Sequence, residues 1–161
     1  MIMYDIAQDL LDSFRATPAI LHGLLHGCTQ EQAVAARGGD EGWSVVEVIC
    51  HLRDAEERAH QRTCQMRDQA NPLLAGYDQE AWARERNYAA ADLRQALAGF
   101  VAARAAHLAD LAALAPEQWQ RPGTHSELGP ISIASHAAHM ASHDSIHCAQ
   151  IARQLGLVPL S

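Results

Sequence analysis

The chain contains no lysine: all twelve basic residues among its 161 are arginine. A lysine Schiff base is therefore impossible, which excludes pyridoxal-phosphate and Schiff-base aldolase chemistry. A Walker-type phosphate loop also needs its lysine and is excluded with them. Aromatic residues are scarce at 5%, so the core must be built from Ala, Leu, Ile and Val, which favours close helix packing over an aromatic-rich sandwich. Positive charge is in deficit. The formal net charge of −7 lacks the basic footprint of a nucleic-acid-binding protein, and none is expected as a partner. No run approaches about 18 consecutive apolar residues, so no membrane span is expected. Cys28, Cys50, Cys64 and Cys148 form no C-x-x-C pair. Residues 1–25 show no basic n-region and carry Asp5, Asp9 and Asp12, so no signal peptide is read and a cytoplasmic location is expected.

What is present is a helical pattern. A chain of 161 residues, 48% of them apolar, suits one domain with one core. Four amphipathic segments emerge. The first runs from about Tyr4 to His26, with Ile6, Leu10, Leu11, Phe14, Ile20, Leu21, Leu24 and Leu25 as its apolar stripe and Pro18 as a candidate kink. The second starts at Ser44, whose pairing with Glu47 makes a capping box behind Trp43. It carries Val45, Val48, Ile49, Leu52 and Ala55 inward, with its Arg, Glu and Asp residues outward, to about Arg67. The third spans about Ala90–Ala115, with Leu93, Leu97, Val101, Leu108 and Leu111 inward and Pro116 as its stop. The fourth spans about Ser132–Leu155, with Gly156 as the residue that ends it. Residues 69–87 are weakly patterned, with a short helix over Tyr77–Arg86, and Arg121–Pro130 reads as a loop. No strand alternation is persuasive. The expected fold is all-α: a single domain over 1–161, built as a four-helix bundle with a long connection between its second and third helices.

The fourth helix holds the chemistry. His139, His143 and His147 recur every four residues, which stacks them on one helix face. Two imidazoles one turn apart can share a metal ion, and a third ligand from elsewhere completes an open site. His143-Asp-Ser-Ile-His147 is close to the zincin motif, but no His, Asp or Glu follows His147, so the third ligand must lie upstream. A di-iron carboxylate site fails as well, since only Glu57-Arg-Ala-His60 fits its Glu-x-x-His requirement. Among the upstream helical histidines, His22, His26, His51, His60 and His107, His51 stands out because Val48, Ile49 and Leu52 place it at the buried edge of its helix. Three neutral imidazoles leave a position for water, giving hydrolysis, or for a substrate thiol, giving thiol transfer. Glu47 and Asp54 flank His51 by about one turn. Each is either an acceptor for its second ring nitrogen or, more simply, a helix cap and a solvated carboxylate respectively. Gln150, one turn beyond His147, is a candidate contact to a ligand. Cys50 and Cys148 adjoin proposed ligands but point about 100° away and read as packing residues.

Trp43-Ser-Val-Val-Glu-Val-Ile-Cys-His-Leu-Arg-Asp54 resembles the start of the second helix in the DinB/YfiT superfamily. Ser142-His-Asp-Ser-Ile-His-Cys-Ala-Gln-Ile151 resembles its last helix, and Gly129-Pro-Ile-Ser-Ile133 the loop that enters it. The resemblance implies a DinB/YfiT-type bundle and a metal triad that falls on His51, His143 and His147. It leaves His139 open, as a supporting residue, an occasional ligand or a surface histidine. It further implies one divalent ion, zinc or nickel, a small-molecule substrate, a low-molecular-weight thiol as cosubstrate, and a homodimer. The family's characterised chemistry puts thiol S-transfer first, with metal-dependent hydrolysis or a non-catalytic, metal-stabilised stress-response protein as alternatives.

Overall fold

A computed structural model describes residues 5–158. Four long helices form the bundle: α1 (Ile6–Leu24), α3 (Val45–Asp68), α5 (Leu93–Ala112) and α6 (Ile133–Gln154). Between them lie a short α2 (Gln30–Ala35), α4 (Gln79–Glu85) and five short strands: β1 (Arg37–Gly38), β2 (Trp43–Ser44), β3 (Leu73–Leu74), β4 (Pro122–His125) and β5 (Gly129–Ser132). Helices α1 and α3 each pack on both α5 and α6, so the consecutive bundle helices α1 and α3 face each other diagonally. The long connection after α3 carries β3, α4 and a 3₁₀ turn at Tyr88–Ala90.

The starts of these helices follow from their caps. The Ser44 N–H donates to Glu47 Oε2 at 2.8 Å while the Glu47 N–H donates to Ser44 Oγ at 3.3 Å, completing the expected capping box. Ser132 and Ser135 make the same reciprocal pair at α6. Asp92 caps α5, and Asp5 caps α1. The expected start of the first helix at Tyr4 lies outside the described residues. Gly156, at φ +68°, takes the left-handed conformation beyond α6 as anticipated.

Two expectations are corrected, and one further element, α2, is added. Arg121–Pro130 is not an irregular loop: β4 and β5 pair antiparallel, and β3 joins β4 in parallel. Strands of two to four residues are too short to show alternation, and a Pro and a Gly in each of β4 and β5 conceal them further. The segment before Ser44 includes α2, capped by Thr29 and Gln32. The apolar stripes also mispredict burial. Ile6 and Ile20 are exposed, whereas Thr17 on α1, Asp54, Glu56 and Arg62 on α3, and Arg104 and His107 on α5 are buried.

Of these groups, Thr17, Glu56, Arg104 and His107 form a layer across the middle of the bundle together with Thr63 and Asp144. Arg104 Nη2 lies 2.7 Å from Glu56 Oε2 and 2.8 Å from Asp144 Oδ2. His107 bridges Glu56 Oε1 at 2.8 Å and Thr63 Oγ1 at 2.9 Å, and Thr17 Oγ1 donates to Asp144 at 3.0 Å. Apolar clusters lie to either side, one around Leu21, Ile49, Phe100 and Ile151, the other around Phe14, Met66, Leu111 and Ile133. Pro18 shows how α1 enters the layer. Lacking an N–H, it leaves the Phe14 carbonyl without its helical donor, and Arg104 Nη1 donates to that oxygen at 3.3 Å. Helix α1 runs on through Pro18.

Arg104→Ala strands two buried carboxylates and should cost about 3–5 kcal/mol of folding stability, measured by urea denaturation. A loss below about 1 kcal/mol would show the layer to be energetically idle. Acid should act through Glu56. Burial pushes its carboxyl up, but hydrogen bonds from His107 and Arg104 outweigh this and hold it down to about 2, against an ordinary 4.5. Its stabilisation is therefore complete above pH 4.5 and is lost as pH falls toward 2. Asp144, raised by burial against the pull of Arg104, works in the opposite sense. Glu56→Gln should flatten the stability profile across that window, and an unchanged slope would assign the acid sensitivity elsewhere.

Candidate metal centre

His51 projects from the second turn of α3, and His143 and His147 from successive turns of α6. One ring nitrogen from each lies within 4.8 Å of the other two. His51 Nε2 and His143 Nε2 face each other at 2.9 Å. The ring centroids are 4.9 Å apart for His51–His147 and 4.5 Å for His143–His147. The structure thus brings together the three residues singled out from the sequence.

All three imidazoles are kept neutral. Burial, followed by the nearby His147, pushes His51 down to about 3. Burial and the two neighbouring rings push His143 to about 2. Burial also lowers His147, although its hydrogen bond to Gln150 pulls the other way. That bond, 2.8 Å between His147 Nδ1 and Gln150 Oε1, fixes the tautomer: the amide oxygen can only accept, so Nδ1 carries the proton and Nε2 presents its lone pair. Gln150 in turn reaches Gly38 O through its amide nitrogen. Gly39, at φ +77°, lets this turn approach, since a Cβ there would stand 2.5 Å from Gln150 Nε2. Trp43 packs its ring 5.1 Å from that of His51, so the β1–β2 turn steadies two of the three histidines.

The donor set fits a divalent ion. Zn–N bonds of about 2.0–2.1 Å put tetrahedral ligand atoms about 3.3 Å apart. The facing His51 and His143 nitrogens would open by only a few tenths of an ångström. His143 Nδ1 is buried without a partner, so no second hydrogen bond orients its ring from behind.

A cavity of about 300 Å³ opens over His51 and His143. Its wall includes His125, His136, His139, Tyr77 and Arg62. His139 is exposed, with its ring 6.4 Å from that of His143, and stands outside the three-nitrogen group. Arg62 is the one arginine in the lining. It is buried and anchored by donating from Nη2 to Ala75 O at 2.6 Å. Arg37, Arg53, Arg84, Arg86 and Arg121 do not line this cavity. Arg62 was passed over as part of an outward polar face. Its only sequence signal is helical phase: it lies eleven residues, three turns, beyond His51.

Neither carboxylate beside His51 is seen to orient it. Glu47 caps α3 and pairs with Arg37 at 3.0 Å. Asp54 is buried rather than solvated, held by Arg53, Arg86 and the Tyr88 hydroxyl. It ties the α3–α5 connection to the bundle. Burial pushes the thiols of Cys50 and Cys148 up to about 11, in keeping with packing roles.

The sequence profile of the DinB superfamily matches residues 13–151. The chain belongs to the DinB superfamily. This DinB chain is 28% identical over 147 residues, 91% of its length and 84% of the relative's, to a protein of Oceanobacillus iheyensis named a "putative metal-dependent hydrolase". Its fold matches that of YfiT from Bacillus subtilis, described as "a probable metal-dependent hydrolase with an unusual four-helix bundle topology". The TM-score is 0.85 at 21% identity, over 97% of this chain and 91% of YfiT. The DinB bundle expected from the sequence is therefore the observed fold. Among the described residues no helix is long and apolar enough to cross a membrane.

Gln150→Leu should free the His147 ring and weaken metal retention about 10–100-fold, with the circular dichroism spectrum unchanged. Retention equal to that of the parent in competition with a chelator would remove Gln150 from the site.

Proposed function

We propose that this DinB protein is a metal-dependent hydrolase of small anionic molecules, with His51, His143 and His147 holding one divalent ion, zinc or nickel. The observation that carries this reading is the convergence of three neutral imidazole nitrogens, with the rings of His51 and His143 lining a cavity of about 300 Å³. When bound in such a set, an ion lowers the pKa of a coordinated water toward neutrality and polarises a substrate carbonyl. Low pKa values at His51 and His143 leave each of the two rings with one unprotonated nitrogen at neutral pH. Gln150 holds the His147 lone pair in place. Arg62 offers a fixed positive charge in the wall, suited to a carboxylate or phosphate on the substrate. Both imidazole-binding metals suit the site, so the residues do not choose between them. The names of the two relatives support hydrolysis. Thiol transfer, which the sequence resemblance put first, would use the same open position, but no feature of the cavity favours it over water.

Elemental analysis of purified protein should find one ion per chain at the three-histidine site in the parent and in His22→Ala. Single Ala replacements at His51, His143 and His147 should lose it. Full retention at this site in any of the three would mean that the ligand was misassigned. The metal-loaded enzyme should cleave members of an ester, amide and phosphoester panel. Arg62→Gln should raise KM for anionic members at least tenfold while changing kcat less. Turnover confined to thiol–electrophile pairs would replace hydrolysis by thiol transfer, and no turnover with either panel would leave a metal-stabilised binding protein.

A further inference from the structure

A second group of metal-ligating side chains lies away from the three-histidine centre. His60 and Cys64 stand one turn apart on α3, and Asp110 faces them from α5. At a rise of about 1.5 Å per residue, His60 and Cys64 are about 14 and 20 Å along the helix from His51, so the two groups cannot share an ion. His60 Nε2 is 2.6 Å from Asp110 Oδ2, and Cys64 Sγ is 3.6 Å from the same oxygen. One ligand atom from each residue lies within 4.8 Å of the other two.

The geometry points to a second divalent-metal site here, of the zinc class, with His60 Nε2, Cys64 Sγ and Asp110 Oδ2 as ligands and solvent in the fourth position. Three observations support it. All three residues are partly exposed, so an ion can enter and water can complete its shell. The ring of His60 is stacked on His107 at 5.1 Å and 21°, and His107 is itself fixed by Glu56 and Thr63, so the imidazole is held in orientation before any ion arrives. The Asp110 carboxylate is turned by Arg67, which takes Oδ1 at 3.2 Å and leaves Oδ2 toward His60 and Cys64. Arg67 is also paired with Asp68 at 2.7 Å, which offsets its charge against an incoming cation. Zn–N, Zn–S and Zn–O bonds of about 2.0–2.3 Å require ligand separations of about 3.3–3.7 Å. The Cys64–Asp110 pair already meets this, and the His60–Asp110 pair must open by less than about 1 Å. A mixed N, S and O set containing a thiolate selects zinc-like ions over magnesium or calcium. On binding, the Cys64 thiol gives up its proton to solvent. The competing account is a plain ion-pair cluster in which Asp110 joins His60 and Arg67 and the thiol has no part.

Equilibrium dialysis of the full chain against zinc, with cobalt(II) as a spectroscopic substitute, separates the two. The parent should bind two ions per chain, and its cobalt form should show a thiolate-to-metal charge-transfer band. Cys64→Ser, a near-isosteric change at a partly exposed position, should bind one ion and lose the band. His60→Ala should do the same, and Asp110→Asn should bind the second ion at least tenfold more weakly. His143→Ala should lose the other ion and keep the band. A parent without the thiolate band, whatever its zinc count, would overturn the site, as would a band that survives both His60→Ala and Asp110→Asn. A parent that binds one zinc, shows the band and is unaffected by His143→Ala would uphold this site and reject the three-histidine centre instead.

Discussion

Arg104 is the constraint to which the rest of the bundle conforms. Its guanidinium is almost wholly inaccessible to solvent, and a buried cation is tolerated only where anions and acceptors surround it. Every bundle helix contributes. Helix α3 supplies Glu56, α6 supplies Asp144, α1 supplies the Phe14 carbonyl and the ring beneath the guanidinium, and α5 supplies Arg104 itself with a second ring, that of Phe100. His107 and Thr17 occupy further hydrogen-bonding positions of the two carboxylates, and Thr63 in turn holds His107. Apolar packing above and below is non-directional and would accept several helix offsets. The ionic layer accepts one.

That offset is what assembles the three-histidine centre. Asp144 is the residue after His143, and Glu56 lies five beyond His51. Once Arg104 clamps Glu56 and Asp144 together, α3 and α6 are fixed in register, and His51 and His143 meet at 2.9 Å. A slip of one turn would displace one ring by about 5.4 Å, more than the span of the site. Apolar side chains of equal volume often match or exceed a buried ionic cluster in stability. We therefore assign the layer to alignment more than to stability: it brings imidazoles from two packed helices, α3 and α6, to within 4.8 Å of one another.

The overall architecture was legible because helix signals are local. Ser44 with Glu47 and Ser132 ahead of its apolar run mark two helix starts, and four-residue spacing on α6 marks its histidine face. His51 was legible by its apolar neighbours and by the surrounding motif. The polar layer was not, because hydrophobic periodicity assigns Arg and Glu to the outside by rule. On α5 the phase was right, yet Val101 and Leu108 were read as core where Phe100, Arg104 and His107 are the buried residues. Whether an arginine is buried depends on partners from three other helices, and no local window contains them. Pro18 could have given a clue, since a proline within a helix frees a carbonyl that something must satisfy. Short strands such as β3, at two residues, exist only through their pairing partner and leave no periodicity of their own.

The same layer explains how the three-histidine site can be both rigid and accessible. Its floor is secured from below by the ion pairs of Arg104 with Glu56 and Asp144. Its rim is made by the α3–α4 connection, where Arg62 donates to the Ala75 carbonyl, and by the β4–β5 turn, which carries Glu127 and Leu128. The division of labour follows from the chemistry. Ligands whose lone pairs must converge need rigid helices and a fixed register. A wall that must fit one substrate or another can be carried by turns, whose sequence can change without disturbing the ionic layer beneath.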